Sequence, residues 1–520
     1  MHELEETLHQ HFREVAEKRN DALAPVSRLP DDILCQIFQE GHDSLQLEHH
    51  AFVAVGNEFS RLVSRISHRW RAVALDTSSL WTHIRFVNPK YLADADSDPI
   101  HPWYGSANAL GRTYTGNLAR SKLALLNVEM DLPEFPGAHS RMVQEYLRTC
   151  HNRVGELVLT LQTPDLLSVV VPCIERTAGT LRRLELTLSH TVRDAEAQVV
   201  AEQLLVLNLP HLKDVELIGV PLPAQHHSAC VGLQNCRRLR FWFNRSTRFS
   251  SNHLHAILRC TPALEDLDMM LLQQPNITSL NVNERLLLPE LRRIKCLCLD
   301  TFPHLPFVQL TAPKLDTLAL EVFSQFRIPT QQGWVGDIRG FLHASKGVDG
   351  RPPPIRTLVV QGGMMDTLDQ ILLHLPDLET LQLVFECQWT GDETNYRKLL
   401  GYLGTPQPVR DPHPVKATRR DAPKLQPATV WLCPKLQAFE SLATARPTHV
   451  HVLAALAAQR RAAGLKLRGC EWAIGRANGR SAHREERRCL RCRRSSTRSS
   501  WRWHGRLGAW SVASIGGSGG

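Results

Sequence analysis

The side chains in this 520-residue chain that could do chemistry do not converge on one site. Cys489 and Cys492 form a Cys-x-x-Cys pair, which is half of a zinc site. A structural zinc needs four ligands, and Cys470 and His483 stand at spacings that match no usual pattern. Cys296 and Cys298 alternate in strand-like sequence and read as packing. His49-His50 and His226-His227 lie in polar, loop-like stretches and read as solvated. Asp31 and Asp32 are adjacent, but they open a helix, where carboxylates complement the positive end of the dipole. There is no glycine-rich phosphate loop, no zincin helix and no Gly-x-Ser-x-Gly elbow. An enzyme needs an acid, base or nucleophile brought together. The expectation is therefore a non-enzyme, with no catalytic residue, metal or cofactor, that works by recognition.

Two segments carry the strongest recognition signal. Residues 28–38 read Arg-Leu-Pro-Asp-Asp-Ile-Leu-Cys-Gln-Ile-Phe, and residues 69–81 read Arg-Trp-Arg-Ala-Val-Ala-Leu-Asp-Thr-Ser-Ser-Leu-Trp. Pro30 suits a first helical turn, where its missing N–H is no loss. Ile33, Leu34, Ile37 and Phe38 then make one apolar stripe at helical period. The second segment sets Trp70 and Val73 on one helix face and closes with Leu80-Trp81. The polar stretch Gly41 to His50 reads as an enlarged connection between helices.

Leu29-Pro30, Ile33-Leu34, Ile37-Phe38, Ile66, Arg69-Trp70 and Leu80-Trp81, in this order, resemble the F-box. The resemblance implies an all-helical module that docks onto the Skp-type adaptor, and through it a cullin, of an SCF ubiquitin ligase. The residues that resemblance places at or under the adaptor surface are Leu29, Pro30, Ile33, Leu34, Ile37, Phe38, Trp70, Leu80 and Trp81. Where the family has Val-Cys before its basic-Trp segment, this chain has Ile66-Ser67. A helix ending in Arg-Ser and feeding an alternating strand, as at 118–130, is similar to the expanded fungal (basidiomycete-type) F-box proteins.

Beyond residue 150 a unit recurs. Val154, Leu181, Leu212, Leu239, Leu264, Leu291, Leu315, Ile355, Leu378 and Leu436 each begin or lie within a Leu-x-x-Leu-x-Leu pattern. Most copies come just after a turn proline, as in Leu209-Pro, Thr261-Pro, Leu288-Pro, Ala312-Pro, Leu375-Pro and Cys433-Pro. Most starts lie some 23 to 31 residues apart, near the period of leucine-rich repeats. Alternate leucines share one face of a strand. Residues 166–176, 253–260 and 368–375 have helical spacing. One strand and one helix cannot bury both apolar faces alone, whereas stacked copies can. The spans 325–354 and 387–432 read as inserts, the second as a surface loop rich in Pro, Gly, Arg and Lys. Residues 454–463 read as a further helix, and Gly464-Leu-Lys-Leu as the start of a strand.

The expected fold is α/β. An N-terminal all-helical F-box precedes an irregular leucine-rich-repeat solenoid with parallel strands and outer helices. The expected organisation is an amphipathic helix over 1–24 that packs on its own domain, with a short coiled coil for self-association as the alternative, then the F-box over 25–88, a linker over 89–111, repeats over 112–467, and a basic disordered tail over 468–520.

The net charge of +9 is local. Residues 465–520 hold thirteen Lys and Arg against three acids, so the preceding body is close to neutral. The tail combines Arg with Trp501, Trp503 and Trp510, and nonspecific nucleic-acid contact is expected from it alone. No stretch reaches the roughly 18 to 20 apolar residues that span a bilayer. The acidic first residues lack a signal-peptide core, and the thirteen scattered cysteines read as reduced, intracellular thiols.

The function these features imply is substrate recognition for a ubiquitin ligase, with the repeats holding an unidentified target protein. The alternatives are a leucine-rich-repeat scaffold outside ubiquitin chemistry, and an RNA-associated protein acting through the tail.

Overall fold

The computed structural model opens with helices up to Asp76, reaches its first strand at His83–Phe86, and from there intersperses strands with helices. The structure describes residues 2–23, 25–49, 58–86, 107–132, 145–161, 167–188, 206–220, 231–243, 251–271, 285–298, 305, 307–322, 331–347, 350–362, 368–384, 393–405, 407–408, 429–430, 432–442, 447–465, 467 and 469–473. The expectations for Cys489, Cys492, His483, His226-His227 and the tail beyond 473 lie outside them, as do those for residues 88–106. The chain divides into two units, Met1–Asp214 and Val215–Gly520.

The first unit opens with α1 (His2–Leu23), α2 (Asp31–His49), α3 (Glu58–Val63) and α4 (His68–Asp76), then a 3-10 turn at Ser78–Trp81. Strand β1 (His83–Phe86) comes at once. Then come α5 (Ala107–Arg120), β2 (Leu126–Leu132), β3 (Val154–Leu161), α6 (Leu167–Thr177) and β4 (Arg183–Leu188). The strands pair in chain order and all run parallel. Ile84, Val128, Leu157 and Leu184 stand level across them and are at most 4% exposed, so a single apolar row runs through the core.

The second unit repeats this arrangement. Its strands are β5 (Asp214–Ile218, which begins at the boundary), β6 (Arg238–Phe243), β7 (Asp266–Leu271), β8 (Leu286–Leu287), β9 (Arg293–Cys298), β10 (Leu310–Thr311), β11 (Thr317–Val322), β12 (Thr357–Gly362), β13 (Thr380–Val384), β14 (Gln407–Pro408), β15 (Thr429–Val430), β16 (Ala438–Leu442) and β17 (Gly469–Ala473). The sheet order is β5-β6-β7-β9-β11-β12-β13-β16-β17. From β6 onward every neighbouring pair is parallel. β8 and β10 form a small parallel pair, and β14 and β15 an antiparallel one. The helices are α7 (Ser251–Arg259), α8 (Gln331–Ala344), α9 (Leu368–Leu372), α10 (Glu393–Gly404) and α11 (Pro447–Ala462).

The recurring leucines do the expected work. Leu239, Leu267, Ile294, Leu318, Leu358, Leu381 and Phe439 stand level on adjacent strands, each 0% exposed. The prolines have a defined place too. Leu264, Leu291, Leu315, Leu378 and Leu436 each donate an N–H to the carbonyl three residues back, with Pro second in the turn, where its fixed φ fits. Strand-to-strand coupling also repeats. The Arg237 carbonyl accepts from the N–H groups of Glu265 and Asp266. The Glu265 carbonyl takes Arg292 and Arg293, that of Arg292 takes Asp316 and Thr317, and Asp316, Arg356 and Glu379 continue the series.

The structure corrects several boundaries. α2 runs through Gly41 to His49, where the sequence suggests a connection. Gly41 is tolerated mid-helix because the Phe59 ring lies where its Cβ would be. The span 25–88, expected to be wholly helical, contains strand β1 near its end. α5 begins at Ala107, inside the expected linker. The insert at 387–432 is not only loop, since α10 buries Leu399, Leu400 and Leu403. The insert at 325–354 contains α8, which buries Trp334, Ile338, Phe341 and Leu342. The final strand is β17 at Gly469–Ala473, not Gly464–Leu467, so paired backbone extends into the span assigned to the tail.

Candidate docking surfaces

The described residues between 25 and 81 build a small hydrophobic core. Leu34, Phe38, Val63, Val73, Ala74, Leu80 and Trp81 are buried together, with Leu29, Phe59 and Trp70 partly buried against them. Sequence dictates much of this locally. Ser67 caps α4 by accepting the Trp70 N–H at 3.1 Å. The Trp81 indole N–H, which cannot be left unpaired in a core, donates to the Ala74 carbonyl at 2.8 Å. Ser60, also buried, donates to the Leu80 carbonyl at 2.7 Å. The Phe38 and Trp70 rings pack 5.0 Å apart with planes tilted by 55°. Arg69 reaches back across 38 positions to Asp31, with Nη2 2.6 Å from Oδ1, and also donates to the Leu29 carbonyl. Asp31 is thus both a helix-start charge and the partner of the basic residue beside Trp70. Sequence spacing carries no sign of that pairing.

The nine motif residues separate into two sets. Leu34, Phe38, Leu80 and Trp81 are core, and Leu29 and Trp70 lean on that core. Pro30 is exposed, Ile33 half-buried and Ile37 45% exposed. These last three are spaced by three and four residues, so they line the outer edge of the α2 stripe. Leu62 and Ile66 add a second exposed apolar pair, at 61% and 55%. The motif does not single out Leu62, which lies on α3, while Ile66 follows in the turn after that helix.

The module is tied to the helix and strand next in the chain. Arg120 of α5 stacks over the Trp81 ring at 4.7 Å. Lys122 Nζ lies 2.6 Å from Asp76 and holds that carboxyl below its usual range. Buried His42 on α2 has its pKa lowered, first by burial and then by the nearby His83.

The open face of the sheet is the second surface. Opposite the buried leucines, neighbouring strands set opposite charges level, as Arg238, Asp266 and Arg293 do, and likewise Arg240, Asp268 and Lys295. Ion pairs join Arg240 to Glu216 at 3.0 Å and Lys295 to Glu321 at 3.1 Å. Burial raises the Asp268 carboxyl even beside Lys295 and Arg240. Farther along, the corresponding positions are Thr317, Thr357 and Thr380, then Ala319, Val359 and Gln382. The charges answer one another across the strands and do not build a basic track for a polyanion. Cys296 is buried in β9, as its alternation implies. Burial pushes the Cys150 and Cys433 thiols up to about 12, so neither is a thiolate at neutral pH.

Among the described residues no three His, Cys, Asp or Glu side chains gather closely enough to hold a metal, and no helix is long and apolar enough to cross a membrane. No family model matches the chain, and no curated protein matches it.

Proposed function

We propose that this chain is a substrate receptor of an SCF-type ubiquitin ligase, with residues 25–82 acting as an F-box and the strand repeats, stacked as a leucine-rich-repeat solenoid, holding a target protein. The observation that carries the reading is the division of the motif residues. The α2 stripe commits one edge, Leu34 and Phe38, to a private core and leaves the other, Pro30, Ile33 and Ile37, outside. An apolar edge beside a complete core is what a docking helix offers to a partner. The partner is the Skp-type adaptor, and through it a cullin. The receptor does no bond chemistry. It raises the local concentration of its target near a ubiquitin-loaded enzyme, inside the cell.

Co-purification of the full chain with a Skp-type adaptor tests this. Pro30→Ala combined with Ile37→Asp should abolish capture while leaving the melting temperature nearly unchanged, because both side chains lie outside the core. Undiminished capture by the folded double variant would refute the assignment. Truncating Leu29 is a less clean test, since Leu29 leans on the module core.

A specific observation also favours a scaffold reading outside ubiquitin chemistry. β1 begins two residues after Trp81 and pairs directly with β2, so the helices adjoin the first strand of the sheet as a cap would. A chain that captures no adaptor, yet loses sheet stability when residues 25–82 are deleted, would select the scaffold.

A further inference from the structure

Helix α1 carries an apolar stripe that stands exposed among the described residues. Leu4, Leu8, Phe12 and Val15 recur at helical intervals and are 76%, 57%, 67% and 63% exposed. The sequence suggests that this stripe packs on its own domain, and the structure does not place it there. We infer that a second copy of this chain covers it, the two α1 helices pairing antiparallel.

Charge selects both the occupant and its direction. By helical spacing the charged positions that flank the stripe are Glu5 at one end and Lys18 and Arg19 at the other, whereas Glu3, Glu6, Glu14, Glu17 and Asp21 fall at positions away from it. Turned end for end about a two-fold axis near Phe12, Leu8 comes level with Val15 of the other copy. Exposed Glu5 then comes level with exposed Lys18 and Arg19. In a parallel pair Glu5 would instead face Glu5. The stripe is therefore self-complementary in the antiparallel direction, as an isologous two-fold contact requires. The four apolar side chains offer on the order of 450 Å² per copy, so a pair stays below the roughly 1,200 Å² of a standard stable interface. The dimer should accordingly depend on concentration. This inference does not rest on adaptor docking.

Sedimentation equilibrium of the full chain, from about 1 to about 100 micromolar, tests it. The wild-type chain should pass from monomer to dimer within that range. Phe12→Asp should weaken association at least about tenfold. Its melting temperature as a monomer should not change, because the ring is largely exposed in its own chain. Glu5→Lys should weaken the dimer, as should Lys18→Glu with Arg19→Glu. All three changes in one chain should restore it. A chain that is monomeric throughout, a dimer indifferent to Phe12→Asp, or no recovery in the triple variant would each overturn the proposal. So would a Phe12→Asp monomer that melts earlier, since the stripe would then belong to its own domain.

Discussion

Replacing Leu318 by Ala is the sharpest test of the sheet. Leu318 is 0% exposed and stands level with Ile294 on one side and Leu358 on the other, both also 0% exposed. The change removes three buried carbons, worth about 2.4 kcal/mol at ~0.8 each. The neighbouring side chains are fixed by the backbone pairing of their own strands, so the site closes poorly and a cavity term adds to the loss. The total should be about 3 to 4 kcal/mol, near the middle of the range for buried Leu→Ala changes. Leu123 supplies a control of identical chemistry. It is 91% exposed, and its truncation should stay within about 0.5 kcal/mol of wild type. Urea unfolding monitored by far-UV circular dichroism reads both, as a midpoint shift at constant slope in the transition of the unit that holds each residue. A Leu318→Ala chain within about 1 kcal/mol of the Leu123→Ala chain would refute the placement of the recurring leucines.

Arg460 should be as sensitive as a core leucine. It is 0% exposed and donates to the carbonyls of Leu403, Leu432 and Cys433, so Arg460→Leu orphans buried acceptors and should cost about 3 kcal/mol by the same urea assay; wild-type stability would show those carbonyls to be solvated. Acid should weaken the helical module through His42. Its folded pKa lies below the ordinary 6.5, so below that value the unfolded chain binds the extra proton, and stability falls as pH drops through that window. Melting temperatures between about pH 7.5 and 5.5 should show the decline, and His42→Gln should flatten it; an equal slope in the variant would assign the effect to another group.

The repeats are legible because their information is local. A strand with alternate leucines has one way to bury them, and a turn proline fixes where each begins, so Leu184, Leu186, Leu267, Leu318 and Leu381 can be assigned inward and are 4% exposed or less. β1 is not legible. His-Ile-Arg-Phe offers a single alternation, and its pairing with β2 is made by a segment more than forty positions away. α10 is hidden because Leu399, Leu400 and Leu403 sit among glycines and polar residues, and only contact with α11 shows why they are apolar. In the module, Ile33, Leu34, Ile37 and Phe38 form one stripe in sequence. Which edge is buried depends on where α3 and α4 cross α2, and that is tertiary information.

No linker separates the helical module from the sheet that it precedes in the first unit. Trp81 is pinned by Ala74 on one side and Arg120 on the other, and β1 begins two residues later, already paired with β2. Such a joint acts as a ruler. In the receptor proposed above, a partner docked on the outer edge of α2 and a target held along β1 to β4 would be joined through Thr82 alone, with no long tether between them. For a receptor in a ubiquitin ligase, that geometry would choose among the lysines of a target by reach, so a few glycines inserted after Thr82 should blur which lysine is modified without changing what is bound.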